Sequence, residues 1–395
     1  MEGASADSTM AVRDEFFLKQ VQSWAQTALA SREQSFGEVV RSLPGVDPCV
    51  VHEVITSPEF SAAYHLRWTL ITSDVPPMEW RLPVPHPLDF DWRFAPSTIT
   101  DLTRDLMNHG ESIVLLGAPS LWLALHGRGG SPWLLDVDHA LISAASAIGA
   151  QLRLRLCDLL RDPLPSLEGS VAFADPPWYP EAMRGFLWAA HAVVRPYGRV
   201  FLSAPPLGTR PGVAAELDEI IKWSEGIGLR LTSRRAGAVR YAMPPFERNA
   251  LKAAGLLNFV PYDWRQGDLL VFERRPGRLQ PRPSPSDAPP DAWRELAIEG
   301  VRIRVDVAAP SAGEDPRLVR IVDNDVLPSV SRRDERRQLA RVWTSGNRVF
   351  GCAAPLILWQ LLNGEAPPQV PANWVDAARQ QVQDLVRLET AEYGS

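Results

Sequence analysis

Asp175-Pro176-Pro177-Trp178, followed by Tyr179, is the stretch of this sequence best suited to chemistry. Each proline fixes its own φ and lacks a donor, and each restrains the residue before it, so the turn is stiff and presents carbonyls. An amine acting as nucleophile needs hydrogen-bond acceptors to aim its lone pair. The Asp175 carboxylate and a carbonyl of Pro176 or Pro177 would supply them. Trp178 and Tyr179 offer a flat wall on which a planar substrate stacks. These five residues are the catalytic candidates.

Residues upstream give the turn its context. ESIVLLG ends in Gly117, where the missing Cβ lets backbone approach a nucleotide cofactor, although any strand-to-helix turn favours glycine. LLDVD ends in Asp136 and Asp138. A carboxylate here accepts both ribose hydroxyls, with Asp136 the better placed; an aspartate capping the next helix is the plain alternative. LCD ends in Asp158, which can accept from the exocyclic amine of adenine or simply close the turn CDLLRDPLP. Gly117, Asp136, Asp138 and Asp158 are therefore the cofactor-binding candidates. Cys49, Cys157 and Cys352 lie far apart and no Cys/His cluster has ligand spacing, so neither a metal nor a disulfide framework is expected.

The elements that must position these residues follow a regular pattern. Short apolar runs at 111–117, 132–138, 151–158, 170–178, 198–206, 229–235 and 268–275 alternate with helical stretches such as PEAMRGFLWAAHAVV. The pattern predicts an α/β fold, a doubly wound, mostly parallel sheet that binds its ligand at the carboxyl ends of the strands. Residues 1–73 read as helical and winged-helix-like, or as a helical cap for packing or dimerisation. Their first helix spans 13–30, with Phe17, Val21, Trp24 and Ala28 on one face. Ser31 and Gln34 form a capping box for the next. A proline-rich connector follows at 74–94, then the catalytic domain at 95–275 and a proline-rich linker at 276–290. Residues 291–395 read as a small α+β accessory domain. It has short strands in VRIRVDV and LVRIV, a tight turn in WTSGNR, and a last helix with Trp374, Ala378, Val382 and Leu385 on one face.

Composition bounds the function. At 395 residues, 45% hydrophobic and 22% charged, the chain can bury a sizeable core in two or three domains of roughly 100–200 residues. A net charge of -6 argues against a surface coated for bulk nucleic-acid binding. There is no apolar run of about eighteen residues to cross a membrane and no apolar signal core near the start, so a cytoplasmic protein is expected. Arg332, Arg333, Arg336, Arg337 and Arg341 have Asp334 and Glu335 lying among them, which reads as internal pairing rather than a phosphate site. Trp92 and Trp264 join Trp178 as residues that could line the cleft, and RYAMPPFERNAL (240–251) is either a lid or a connector.

From about Asp91 to Arg275 the chain resembles the branched-chain polyamine synthases, also called bis-aminopropyl spermidine synthases. DWRFAPSTI, VLLG, LLDVD, DLLRDPLP and ADPPWYPEAMRGFL carry the resemblance. It implies a methyltransferase-like (Rossmann-like) sheet of seven strands with an antiparallel strand near its C-terminal edge, behind a small winged-helix-like domain. It further implies decarboxylated S-adenosylmethionine as donor and transfer of an aminopropyl group to a polyamine nitrogen. The sequence departs from the family at one place: after Gly117, where the family has a run of acids, stand Ala118-Pro119-Ser120. A polycation then lacks its natural counter-charges there.

Three readings follow. The first is a group transferase that uses S-adenosylmethionine or its decarboxylated form on an amine nitrogen. The acceptor is a small molecule or a nucleobase, because DPPW also resembles the turn of adenine amino-methyltransferases. The second is a catalytically degraded scaffold that binds a protein partner through residues 291–395. The third is a nucleic-acid-binding regulator. A homodimer is compatible with each.

Overall fold

The computed structural model describes residues 3–31, 33–64, 66–71, 82–284, 293–329, 331, 334–365 and 370–393. Much of the expected 74–94 connector, the end of the 276–290 linker, and Arg332 and Arg333 lie outside the described residues. The chain divides into two units. One comprises 1–82, 93–243 and 258–286, the other 83–92, 244–257 and 287–395.

The first unit opens with four helices, α1 (Gly3–Ser31), α2 (Phe36–Ser42), α3 (Pro48–Thr56) and α4 (Pro58–Ala63). The expected cap at Ser31 is displaced, because α1 runs on through Ser31. The capping box belongs instead to Ser35 and Glu38, and Gln34 donates to the Ala28 carbonyl at the end of α1. The buried stripe of α1 is Val21, Ala25 and Leu29, with Trp24 and Ala28 only half-buried beside it. Among the described residues up to 71 there is no strand, only an isolated bridge between Ser35 and Arg67.

The sheet follows. Its elements are α5 (Pro96–His109), β1 (Ile113–Leu116), α6 (Pro119–Gly127), β2 (Trp133–Asp136), α7 (Leu141–Ala147), β3 (Leu154–Leu156), β4 (Gly169–Ala174), α8 (Pro180–Val193), β5 (Val194–Ala204), α9 (Val213–Gly226) and β6 (Leu229–Arg240). After α10 (Pro245–Ala253), which belongs to the second unit, β7 (Gln266–Arg274) completes it. Strand order is β3-β2-β1-β4-β5-β7-β6, with β7 antiparallel to both neighbours and the other pairs parallel. All seven expected runs form strands, and the reversed one is the last in sequence. The order turns back between β1 and β4, which makes the crevice at their carboxyl ends the place for a ligand.

Alternation along the strands builds two apolar faces. Val114, Leu116, Ala172, Ala174, Val200, Leu202, Leu270 and Phe272 pack with Leu187 of α8 and Leu217 and Ile220 of α9. The opposite face carries Leu115, Phe173, Phe201 and Leu269, all buried, with Phe94 edge-on to Phe173.

The second unit holds β8 (Trp293–Ile298), β9 (Val301–Asp306), β10 (Leu318–Arg320), β11 (Val342–Thr344), β12 (Val349–Cys352), α11 (Pro355–Leu362) and α12 (Ala372–Tyr393). Its sheet is antiparallel in the order β10-β12-β11-β9-β8. Ala378, Val382, Leu385 and Val386 of α12 close its core against Val301, Ile303 and Val305, while Trp374 is only half-buried. The TSGN segment turns the β11–β12 hairpin with Asn347 at φ 65, a conformation that asparagine tolerates. Asp334 pairs with Arg336 at 2.7 Å, and Arg337 stacks 4.5 Å over Trp343, so this part of the arginine segment is internally engaged.

Candidate active site

Gly117, Asp136, Asp158 and Asp175 end or follow β1, β2, β3 and β4, so the sheet brings the cofactor candidates and the proline turn to one edge. Backbone bonds tie the four strand ends together. Gly117 N–H donates to the Leu135 carbonyl (3.0 Å), Cys157 N–H to that of Asp136 (2.8 Å) and Asp175 N–H to that of Leu116 (3.0 Å). Gly117 has φ +66, and a Cβ there would come 3.0 Å from the Phe186 ring and 3.2 Å from the Asp175 carbonyl. Glycine is required on both counts. Gly117→Ala is therefore expected to cost about 1–3 kcal/mol of stability, measurable as a lowered Tm.

The candidate aspartates after β2 and β3 are used by their own loops. Asp136 Oδ1 accepts from the Asp138 amide at 2.9 Å, and Asp138 Oδ1 accepts from the Ala140 amide at 2.9 Å, just before α7. Asp158 is more heavily engaged. Its Oδ1 accepts from Leu160 N–H (2.8 Å), its Oδ2 pairs with Arg161 (2.8 Å), and its own amide donates to Asp162 (2.8 Å). Each carboxylate orders a turn, and each stands at or just beyond the carboxyl end of a strand. Ala118 is the N-cap of α6, with Pro119 in its first turn and no side-chain cap; Ala118, Pro119 and Ser120 are buried, so this loop presents packed, uncharged residues.

Asp175 sits just beyond β4. Its Oδ1 accepts two hydroxyl donors, Tyr241 at 2.7 Å and Ser203. Ser203 is on β5 two residues beyond Phe201, on the same face, and Tyr241 directly follows β6. Both are buried. Burial and the neighbouring carboxylate push the Tyr241 phenol well above its ordinary range, so it stays protonated and donates. These hydroxyls were not foreseen from sequence. Ser203 reads as one polar position in the apolar run VFLSAPP, and that position, on the strand next to an Asp-Pro-Pro turn, was the available signal.

The turn is closed by its own backbone. Tyr179 N–H donates to the Pro177 carbonyl at 2.7 Å, which leaves Pro176 as the proline whose carbonyl has no hydrogen bond to another described residue. Trp178 meets the Tyr241 ring edge-on at 5.7 Å, and Gly267 lets it pack close, since a Cβ there would fall 2.8 Å from the indole. Tyr179 lies under Arg210, 5.4 Å from ring centre to guanidinium. Of the other two tryptophans, Trp264 is buried in the core of this unit, and Trp92 belongs to the second unit, where it donates to Glu247 and packs on Phe246. The 240–251 segment is split in the same way, with Tyr241 at the site and α10 in the second unit.

No family model matches the sequence, and no curated protein matches it. Solved structures do. The C9 mutein of the branched-chain polyamine synthase from Thermus thermophilus, in complex with N4-aminopropylspermidine and 5′-methylthioadenosine, is similar at 13% identity and TM-score 0.52. That match covers 70% of this chain and 96% of the other. The branched-chain polyamine synthase of the same organism, with the same two molecules, matches at 15% identity and TM-score 0.49, over 66% of this chain and 92% of the other. At 13% identity the first likeness concerns architecture. With the strand order it shows that the first unit carries a methyltransferase-like seven-stranded sheet.

Proposed function

We propose that this chain is a group transferase that binds S-adenosylmethionine or its decarboxylated form and transfers a methyl or aminopropyl group to an amine nitrogen. The observation that carries this reading is Asp175, set at the carboxyl end of β4 beside the chain reversal of the sheet and oriented by Ser203 and Tyr241. The bound donor would supply a sulfonium-activated carbon; the amine lone pair would displace the thioether from it, and the proton on nitrogen would pass to the Asp175 carboxylate or to water. Asp175 and the Pro176 carbonyl accept hydrogen bonds from the amine and aim the lone pair. Trp178 walls the acceptor, and Gly117 lets the backbone approach the donor. Asp136 would hold the ribose, with Asp138 ordering its loop, and Asp158 would face the adenine. That the solved polyamine synthases hold 5′-methylthioadenosine supports a donor of this type.

The packed Ala118-Pro119-Ser120 loop favours a flat, neutral acceptor over a polycation, because charges on a polyamine would stand there without counter-charges. The test supplies each donor form with spermidine and with adenine-containing nucleic acid and follows the transferred group by mass. Methylation of the planar amine supports the reading. Efficient aminopropylation of spermidine would overturn the acceptor assignment, and silence with every acceptor would overturn the transferase reading. On the donor side, Asp136→Ala is expected to weaken nucleotide binding by about 1–3 kcal/mol, read by calorimetry.

A second reading, a scaffold that has lost its chemistry, is favoured by one observation. Both oxygens of Asp158 are already engaged by Leu160 and Arg161. A pocket that binds neither donor would decide for it.

A further inference from the structure

We infer that an open groove at the far end of the same sheet is a binding site for a small phosphate-bearing anion. Arg199, Phe201 and Ser203 lie on one face of β5, with Ser203 at the Asp175 end and Arg199 at the other. Arg199 pairs across the sheet with Glu273 of β7, and Glu273 with Arg230 of β6, so three strands lay down an Arg–Glu–Arg row. Phe201 and Val271 form the adjoining floor. Asp105 and His109 of α5, with Arg235, complete the lining of a cavity of about 440 Å³. That volume is in the range of small-ligand pockets. Arg199 also pairs with Val171, four residues before Asp175, which puts the groove about 13 Å along β4 from the proline turn.

The charges are unbalanced. Arg199, Arg230 and Arg275 converge on the one carboxylate of Glu273 at 3.2, 3.6 and 3.4 Å, and Arg235 pairs with Asp105 at 2.6 Å. Four guanidiniums face two carboxylates in a chain whose net charge is -6. Among the described residues, the guanidiniums of Arg199, Arg230 and Arg275 donate no hydrogen bond to a protein group; their contacts with Glu273 are longer than charge-assisted hydrogen bonds of about 2.7–2.9 Å. Arg234, next to Arg235 on β6, shows the contrast, binding Asp268 through two nitrogens at 2.8 and 2.9 Å. A cross-strand ion pair accounts for one guanidinium on Glu273. Arg275 adds a third, and Arg199 and Arg230, which line the cavity with their guanidinium donors unspent, fit the oxygens of a phosphate, which the planar fork engages two at a time. The carboxylates of Asp105 and Glu273 in the same lining repel an extended polyanion, which restricts the ligand to a small one.

The test is calorimetric titration of the full chain at low salt with inorganic pyrophosphate and, separately, with a nucleoside diphosphate. Saturable binding of one pyrophosphate is expected, weakened roughly tenfold or more by Arg199→Gln and by Arg230→Gln, with Arg387→Gln, in an exposed pair on α12 of the second unit, leaving it unchanged. Arg230 is half exposed, so its substitution should leave the fold intact, and an unchanged Tm checks this. Tighter Arg230-dependent binding of the diphosphate would identify a nucleotide as the source of the phosphate, and equal binding a free one. No saturation by about 10 mM pyrophosphate, or binding indifferent to both substitutions, would overturn the inference. So would Arg230-dependent binding of a duplex oligonucleotide more tightly than pyrophosphate. None of these outcomes depends on the transfer reaction, because Arg199 and Arg230 stand outside the Asp175 site.

Discussion

Asp175→Ala is expected to lower kcat by on the order of 10²–10⁴-fold while leaving the donor's Kd within about twofold. The asymmetry follows from where the carboxylate sits. It is carried by the turn after β4, whereas the donor side is built from the ends of β1, β2 and β3. An interaction with the acceptor that strengthens as the nitrogen sheds its proton acts on the transition state and not on donor affinity. Alanine also orphans the buried hydroxyls of Ser203 and Tyr241, so Tm must be followed in parallel. Asp175→Asn keeps the shape and removes the charge, and should lose turnover with a smaller change in Tm. Tyr241→Phe keeps the ring packed on Trp178 and removes one donor to Oδ1, with an expected kcat loss of roughly tenfold. If kcat and donor affinity fell together, Asp175 would be a structural residue of the edge. If neither moved, the chemistry would lie elsewhere.

Legibility in the sequence followed period and spacing. The seven runs were readable because a sheet covered on both faces needs short, nearly continuous apolar strands, and each of these ends in a glycine, an acid or a turn. That is why the sequence alone assigns Gly117, Asp136, Asp158 and Asp175 to one edge. The partners of Asp175 could not, because Ser203 and Tyr241 come from β5 and the end of β6, and only the fold brings them to the turn. The cap of α2 was misplaced for a local reason. Ser31-Gln34 and Ser35-Glu38 both offer an N-terminal signal, and α1 continues through the first. The groove was invisible for a similar reason, since Arg199, Arg230 and Glu273 are ordinary outward positions until cross-strand register aligns them. Glu389 was the most readable of the missed residues. It follows Ala378, Val382 and Leu385 on the apolar stripe of α12, an acid at a core position that requires a partner.

Glu389→Gln is expected to remove a pH-dependent destabilisation of the second unit on the order of 3 kcal/mol between pH 5 and pH 8. Glu389 is fully buried. It accepts from the Gly346 amide (3.0 Å), from Tyr393 (2.8 Å) and from Thr344, and Arg348 lies 3.8 Å away, itself paired with Glu392 at 3.0 Å. Burial dominates these favourable partners and raises its carboxyl from 4.5 to about 7. A raised carboxyl holds its proton more tightly in the folded chain. Its contribution is fully present below 4.5 and is lost as pH rises through about 7. His86, buried in the same unit and held neutral, acts in the opposite sense, since its contribution is lost as pH falls below its ordinary 6.5. The wild-type profile alone therefore mixes two slopes, and the informative quantity is the Tm of the variant minus that of the wild type. The carboxamide mimics the protonated acid and does not titrate, so this difference should grow steadily from pH 5 to pH 8 in favour of the variant. Glu389→Ala, which orphans the Gly346 amide and takes one partner from each of the Thr344 and Tyr393 hydroxyls, should lower Tm at both ends of the range. Parallel Tm profiles for wild type and Glu389→Gln would show that Glu389 is ionised throughout, held by Arg348 more firmly than burial opposes it.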